Sequence, residues 1–269
     1  MPQAPHFVDD HLLKVGDDDF HCEHPTRVLP SNRFPVEKAR PLVEDYIELC
    51  GRMRPKRIME IGVLRGGSTV LLSQLTAPEK LVSIELSPQP VALLTDYIQA
   101  RGLTEVVRPY FGVDQADRTR VAAIARNEFG APIDLVIDDA SHLYEPSVAT
   151  FETLFPLVRP GGLYLLEDWR WHHQYAEVLT NVESLPKEVR EELAKRADDI
   201  AAGRAQPEVP MSRLVLELVL ARASGDAVAE ITIGPDWAAV RRGDVTLDPD
   251  TFRVAELVRD HFDLLRPIA

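Results

Sequence analysis

A chain of 269 residues, 45% of them hydrophobic, can bury one large core or two small ones, and no Pro/Gly/Ser linker with a core on each side divides it. A net charge of −13 argues against a nucleic-acid backbone or an anionic membrane as the main partner, and no apolar run reaches spanning length. The two cysteines, Cys22 and Cys50, make no disulfide framework, and the start MPQAPHFVDDHLLK lacks a basic segment followed by an apolar one, so a soluble, cytoplasmic, acidic protein of enzyme size is expected.

Residues 1–30 are rich in acid and histidine: His6, His11, Asp17-Asp18-Asp19, His21, Cys22 and His24. No spacing there matches a zinc template, which leaves a solvated arm or a flap over the active site, taken as residues 1–34. From Pro35, the apolar positions Leu42, Val43, Tyr46, Ile47 and Leu49 predict an amphipathic helix to about Gly51. A strand then ends at Glu60, a glycine-rich turn runs from Gly62 to Gly67, and a helix begins near Ser68. Glycines let the backbone approach a ligand, and a helix N-terminus offers N–H groups to an anion. The pattern E-x-G-x-x-x-G-G-S misses the nicotinamide fingerprint G-x-G-x-x-G, and it lacks the lysine of a phosphate loop.

The strand 81–84 ends at Glu85, placed where a carboxylate can accept from both ribose hydroxyls of a nucleoside. A helix over Pro90–Arg101 and a strand over 106–111 follow, after which Asp114 or Gln115 stands where an adenine edge would lie. The stretch 134–169 carries the most chemistry. The apolar run Leu135-Val136-Ile137 ends in Asp138-Asp139, and Leu163-Tyr164-Leu165-Leu166 ends in Glu167-Asp168. Between them Val148, Phe151, Leu154, Phe155 and Val158 recur at helical spacing, with Pro160-Gly161-Gly162 as the stop. A right-handed crossover makes the two strands parallel and brings Asp139, Glu167 and Asp168 to one edge of the sheet. Converging carboxylates need a positive partner, and hard oxygen donors suit Mg²⁺, with Mn²⁺ or Ca²⁺ as alternatives. The bland reading is a pair of solvated turns. His142, three residues beyond Asp139, can face a ligand held there.

After Trp169 the aromatics mix with charge through Arg170-Trp171-His172-His173, as in an active-site wall, and a solvated helix is expected within 185–203. Residues 211–224 read as a buried helix, and 229–233 with 237–242 as a hairpin around Gly234-Pro235-Asp236. The tail from Asp250 is amphipathic and suits packing on the sheet or on a second subunit. The fold class expected is therefore α/β: a Rossmann-like, seven-stranded, mostly parallel sheet with helices on both faces and a terminal antiparallel hairpin.

The motifs E-I-G-x-x-x-G-G-S and D-D-x-S-H…P-G-G-x-Y-x-x-E-D resemble class I S-adenosylmethionine-dependent methyltransferases. Within them the chain is similar to the metal-dependent O-methyltransferases of macrolide and polysaccharide sugars, a group that includes the cephalosporin-hydroxylase-like proteins. The resemblance covers residues 35–245, with 170–210 as a lid or acceptor insertion and 246–269 as a C-terminal helix. It implies that Asp139, Glu167 and Asp168 hold Mg²⁺ and that His142 is the general base. It further implies that Glu60, Gly62 and Ser68 line the methionine moiety of S-adenosylmethionine, that Glu85 binds its ribose, and that Asp114 and Gln115 face its adenine. The acceptor implied is a small-molecule or oligosaccharide hydroxyl, and the assembly implied is a homo-oligomer, a dimer first, without nucleic acid or membrane. Catechol O-methyltransferases resemble the layout too but carry lysine where His142 stands and asparagine at the position of Asp168. A phenol or catechol methyltransferase and a non-catalytic S-adenosylmethionine-binding protein are the rival readings.

Overall fold

The described residues between 6 and 35 do not lie as a solvated arm. In the computed structural model they form a small sheet, β1 (His6–Phe7), β2 (Leu12–Val15), β3 (Asp18–His21) and β4 (Arg33–Pro35), with strands in that order. The structure describes residues 4–23, 29–30, 33–174 and 208–258, with single residues and pairs between 187 and 203. The small sheet turns Leu13, Phe20 and Phe34 inward, where they join the core around Val43, Tyr46 and Leu71. Helix α1 (Arg40–Met53) starts later than the predicted helix, because Pro35 closes β4 and Glu37 turns the chain with a positive φ of 56°. Pro41 sits in its first turn, where a missing N–H costs nothing.

The chain then alternates strand and helix: β5 (Arg57–Ile61), α2 (Gly67–Thr76), β6 (Lys80–Glu85), α3 (Ala92–Ala100), β7 (Val107–Phe111), α4 (Arg118–Glu128), β8 (Ile133–Asp138), α5 (Tyr144–Leu154) and β9 (Val158–Glu167). Helix α6 (Ser212–Ser224), the hairpin β10 (Val228–Ile233) and β11 (Trp237–Arg242), and the short α7 (Val254–Leu257) complete the described elements. The large sheet has seven strands in the order β10-β11-β9-β8-β5-β6-β7. Strands β9 to β7 in that order are parallel, and β11 runs antiparallel to both β9 and β10. This is the predicted fold class. The predicted helix stop Pro160-Gly161-Gly162 instead lies inside β9. The helix ends at Leu154, a 3₁₀ turn follows to Leu157, and a register shift between Ile133 and Leu135 absorbs the irregularity. Of the solvated helix expected within 185–203, the greater part lies outside the described residues. Of the C-terminal helix expected over 246–269, residues 246–258 are described, and only Val254–Leu257 is helical there.

Period-two alternation along the strands divides the apolar residues between two cores. Ile58, Leu81, Leu135, Leu163 and Leu165 face α1, α2, α3 and the small sheet. Met59, Val82, Val136, Tyr164 and Leu166 face α4, α5 and α6, with Phe252 and Val254 of the tail packed on the same side. From β5 the chain proceeds outward to β6 and β7, then returns to β8 on the other side of β5. The crevice for a ligand opens at such a reversal, beyond the carboxyl ends of the strands. Here the two strand ends are drawn tightly together: the Asp139 N–H donates to the Ile61 carbonyl at 2.9 Å. A Cβ on Gly62, whose φ is +95°, would meet the Asp139 carbonyl oxygen at 2.2 Å. Only glycine fits there.

Candidate active site

The reversal opens into a cavity of about 710 Å³, a size ordinary for a small-molecule site. Gly62, Ser68, Glu85, Asp114 and Gln115 line it, as do Asp139, His142, Glu167 and Asp168. Glu85 accepts the backbone N–H groups of Val63 and Leu64 on one oxygen, at 3.0 and 2.9 Å, and that of Ser87 on the other, at 2.9 Å. Burial opposes its ionisation, but these donors outweigh burial and hold the carboxyl below the usual range. The charge that a ribose would meet therefore also sets the shape of the glycine turn. Gln115 is a brace as much as a lining residue: its oxygen accepts from the Ser141 N–H at 2.9 Å, and its amide donates to Asp138 and Thr150.

Glu60 is placed differently from its expected role. It is buried and does not line the cavity; one oxygen accepts from the Thr69 hydroxyl at 2.6 Å and the Ser83 hydroxyl at 2.8 Å. Burial pushes its pKa up against those hydrogen bonds. Its work is to tie the first turn of α2 to β6, from beneath the glycine turn.

At the mouth, Asp139, His142 and Asp168 each present one ligand atom, and these atoms lie within 4.8 Å of one another. Among the described residues no other group of three His, Cys, Asp or Glu comes this close, so the N-terminal histidines that are described form no metal cluster. His24 lies outside the described residues. The His142 Nε2 stands 3.2 Å from Asp139 Oδ1 and 3.8 Å from Asp168 Oδ2. Burial disfavours the imidazolium, but the hydrogen bond to Asp139 and the charges of Asp139 and Asp168 raise its pKa. Both His142 (φ 55°) and Asp168 (φ 51°) occupy the left-handed region, which costs a non-glycine residue about 1–2 kcal/mol. Such strain gathers at functional sites. The surroundings hold it in place: the Asp168 N–H donates to the Asp236 carbonyl at 2.8 Å, and the Tyr144 N–H donates to Val209 at 3.0 Å.

Glu167 departs from the expected carboxylate trio. It is 1% exposed, and both of its oxygens are engaged from the α1 side. Lys38 Nζ donates to Oε2 at 2.7 Å, and the Tyr46 hydroxyl donates to Oε1. The same ammonium contacts Asp139 Oδ2. Burial opposes charge on all three groups. The attraction of Asp139 and Glu167 nonetheless raises the Lys38 pKa, and Lys38 holds Asp139 below the usual carboxylate range. Burial and the Asp139 charge push Glu167 up despite Lys38. Neither Lys38 nor Tyr46 carries a sequence signal for this role. A lysine in a connector and a tyrosine on the apolar face of a helix give no hint of partners on β8 and β9.

The Trp171 ring centroid lies 6.1 Å from that of His142, although Trp171 does not line the cavity. His173 Nε2 lies 2.8 Å from the Ser212 hydroxyl, which ties the segment after Trp171 to the start of α6.

A family model described as a methyltransferase domain matches residues 59–169. The chain is 30% identical, over 134 residues, to the 8-demethyl-8-(2-methoxy-alpha-L-rhamnosyl)-tetracenomycin-C 3'-O-methyltransferase of Streptomyces olivaceus, covering 48% of this chain and 31% of that one. It is 51% identical, over 55 residues, to the mycinamicin VI 2''-O-methyltransferase of Micromonospora griseorubida, covering 20% of this chain and 13% of that one. The chain thus spans less than a third of either relative's length. The SAH-bound Podospora anserina methyltransferase PaMTH1 shares the fold at a TM-score of 0.52 and 18% identity, over 77% of this chain and 80% of that one. Residues 59–169 thus match a methyltransferase domain, and the strand order and the glycine turn agree with that match; over shorter stretches the chain is similar to sugar O-methyltransferases.

Proposed function

We propose that this chain transfers the methyl group of S-adenosylmethionine to a sugar hydroxyl, on a saccharide or a glycosylated natural product. The observation that carries this reading is the convergence of Asp139, His142 and Asp168 at the mouth of the cavity that Gly62, Ser68, Glu85 and Asp114 line. The rhamnosyl acceptor in the name of the Streptomyces olivaceus relative supports the choice of a sugar. Bound in the cavity, S-adenosylmethionine supplies an activated methyl group on a sulfonium. Glu85 is placed to accept from the ribose hydroxyls, with Asp114 toward the base. His142 takes the acceptor's proton on Nε2 as the methyl carbon leaves sulfur and bonds to oxygen. The products are a methyl ether, S-adenosylhomocysteine and a protonated imidazole. Asp139 and Asp168 raise the pKa of His142 above the ordinary histidine value, which makes it a stronger base for that task.

The donor chemistry of the mouth suits a hard divalent cation, because Mg²⁺ is commonly bound through one or two carboxylates together with substrate. Asp139 and Asp168 would hold it, and when bound it would act as a Lewis acid on a neighbouring hydroxyl. Glu167, engaged by Lys38 and Tyr46, stands apart from this set. Incubation with methyl-labelled S-adenosylmethionine and a panel of glycosides, with and without chelator, tests the reading. Label is expected in a sugar methyl ether, lost with chelator and restored by Mg²⁺. Label in catechols alone would replace the sugar reading, and no binding of S-adenosylhomocysteine by calorimetry would remove the methyltransferase reading itself.

A further inference from the structure

Lys38 is the one ammonium set into the acidic cluster among the described residues, and its backbone leaves it little freedom to withdraw. The connector from Pro35 to Ala39 is pinned along its length. The Val36 N–H donates to the His21 carbonyl at 2.8 Å, and the Lys38 carbonyl accepts from Glu23 N–H at 2.8 Å. Glu37 pairs with Arg65 of the glycine turn at 2.8 Å. Beneath it, Gly67 is so close that a Cβ there would meet the Pro35 carbonyl oxygen at 2.0 Å. From this fixed point a side chain that is 8% exposed reaches Asp139 Oδ2 and Glu167 Oε2. Tyr46 takes the other Glu167 oxygen, and the Lys38 ammonium lies 5.8 Å from the Tyr46 ring centroid.

We propose that Lys38 is a tethered counter-ion that closes the seat between Asp139 and Glu167 to a divalent cation, so that Glu167 positions Lys38 and is not a metal ligand. The charges fit. Three carboxylates (Asp139, Glu167 and Asp168) less one ammonium leave two negative charges, the charge a divalent cation neutralises. The oxygens fit too: Asp139 divides its pair, Oδ2 to Lys38 and Oδ1 to His142 and the cavity mouth, where Asp168 also stands. A buried carboxylate that loses its only cation is strongly penalised, so Lys38 and Glu167 hold one another in place. The inference deepens the proposed function and rests on it only where it concerns the metal. Lys38 thereby couples the connector from the small sheet to the catalytic mouth.

The test has two readouts besides activity. In a stability cycle of Lys38→Met, Glu167→Gln and the double variant at about pH 8, each single change is expected to lower Tm by several degrees. The double variant is expected to melt well above the sum of the two losses, since it removes the buried Glu167 charge together with the ammonium that offsets it, while Asp139 keeps His142. Additive losses would overturn the pairing. In calorimetric titration with Mn²⁺, Asp168→Asn is expected to weaken binding at least ~10-fold, as loss of a group that acts on the ion should. Glu167→Gln, which can still hydrogen-bond Tyr46, is expected to change it by less than ~3-fold, under about 0.7 kcal/mol. Equal losses in both variants would show that the ion takes Glu167 and displaces Lys38, and would sink the proposal. Mn²⁺ binding by Lys38→Met but not by the natural chain would support closure of the seat. If neither binds Mn²⁺, the stability cycle decides alone. S-adenosylhomocysteine affinity, measured on the same samples, reports separately on the methyltransferase reading.

Discussion

His142 combines a left-handed backbone, a carboxylate on either side and a place at the cavity mouth, and each feature bears on how it would work as a base. Only the neutral imidazole can accept a proton. Since Asp139 and Asp168 raise its pKa against burial, the rate should climb with pH through a value above the ordinary ~6.5 for histidine. A divalent cation on those carboxylates cancels part of the charge that raises it, so added Mg²⁺ should move that limb to lower pH. His142→Gln should lose the limb and lower kcat by ~10²–10⁴-fold, with S-adenosylhomocysteine affinity little changed. A variant that keeps near-full kcat would mean the proton leaves by another route. Asp138, one residue before the mouth, behaves differently. Burial pushes it up to about 7, although Tyr164 at 3.0 Å and Gln115 at 3.2 Å donate to it. Its folded pKa stands above the unfolded ~3.9, so its contribution to stability is complete below ~pH 4 and is lost as pH rises toward ~7, at about 1.4 kcal/mol per pH unit. Asp138→Asn removes that titration. Its stability should vary less than that of the natural chain between ~pH 4 and 7 in urea melts, and parallel curves for the two would contradict the assignment.

At the scale of elements, the close approach of the β4–α1 connector to the first turn of α2 is the feature most open to test. A methyl at Gly67 would meet backbone atoms of Pro35, at 2.0 Å from oxygen and 2.5 Å from carbon, and backbone cannot swing aside as a side chain can. Gly67→Ala should cost about 1–3 kcal/mol or more, the range for overpacking where the neighbour cannot move aside. Gly51, in α1 with nothing within 4 Å of a built Cβ, is the control, and Gly51→Ala should stabilise by ~0.5–1 kcal/mol. Equal melting temperatures for the two would mean the connector yields. The same contrast explains what the sequence makes legible. Asp139, Asp168 and His142 can be read because each follows an apolar run that ends abruptly, and parallel pairing then fixes where such ends meet. Glu60 follows the same logic and misleads, because the next strand and helix offer it Ser83 and Thr69 before any ligand. Lys38 and Tyr46 are silent, since their partners on β8 and β9 lie far along the chain and no periodicity links them. The small sheet is silent as well: its strands have two to four residues, too short for alternation to stand out from the acid-rich background.

Over the whole molecule, the two cores lie on opposite faces of strands they share, so neither should melt without the other. Phe20 tests this for the small sheet, whose membership of the domain is the least expected part of the architecture. It is fully buried, its ring 5.4 Å from that of Phe34, which in turn meets Tyr97 of α3 edge-on at 5.4 Å. The small sheet is thereby continuous with the core beneath α1, α2 and α3. Phe151 is the matching residue on the other face, stacked 4.5 Å from Phe155 and tilted against Tyr164 at 4.8 Å. Truncating a buried phenylalanine costs about 3–5 kcal/mol through lost burial and the cavity left behind. For a chain of roughly this size each kcal/mol lowers Tm by ~2–4 °C. Phe20→Ala and Phe151→Ala should therefore both shift one cooperative transition, by roughly 6–20 °C, with tryptophan fluorescence and far-UV dichroism moving together. An independent arm would give another picture: Phe20→Ala would leave the main transition where it is and add an early, small one. In that case Lys38 would hang from a segment that melts before the sheet, and the acidic mouth would lose its counter-ion while the fold around it survived.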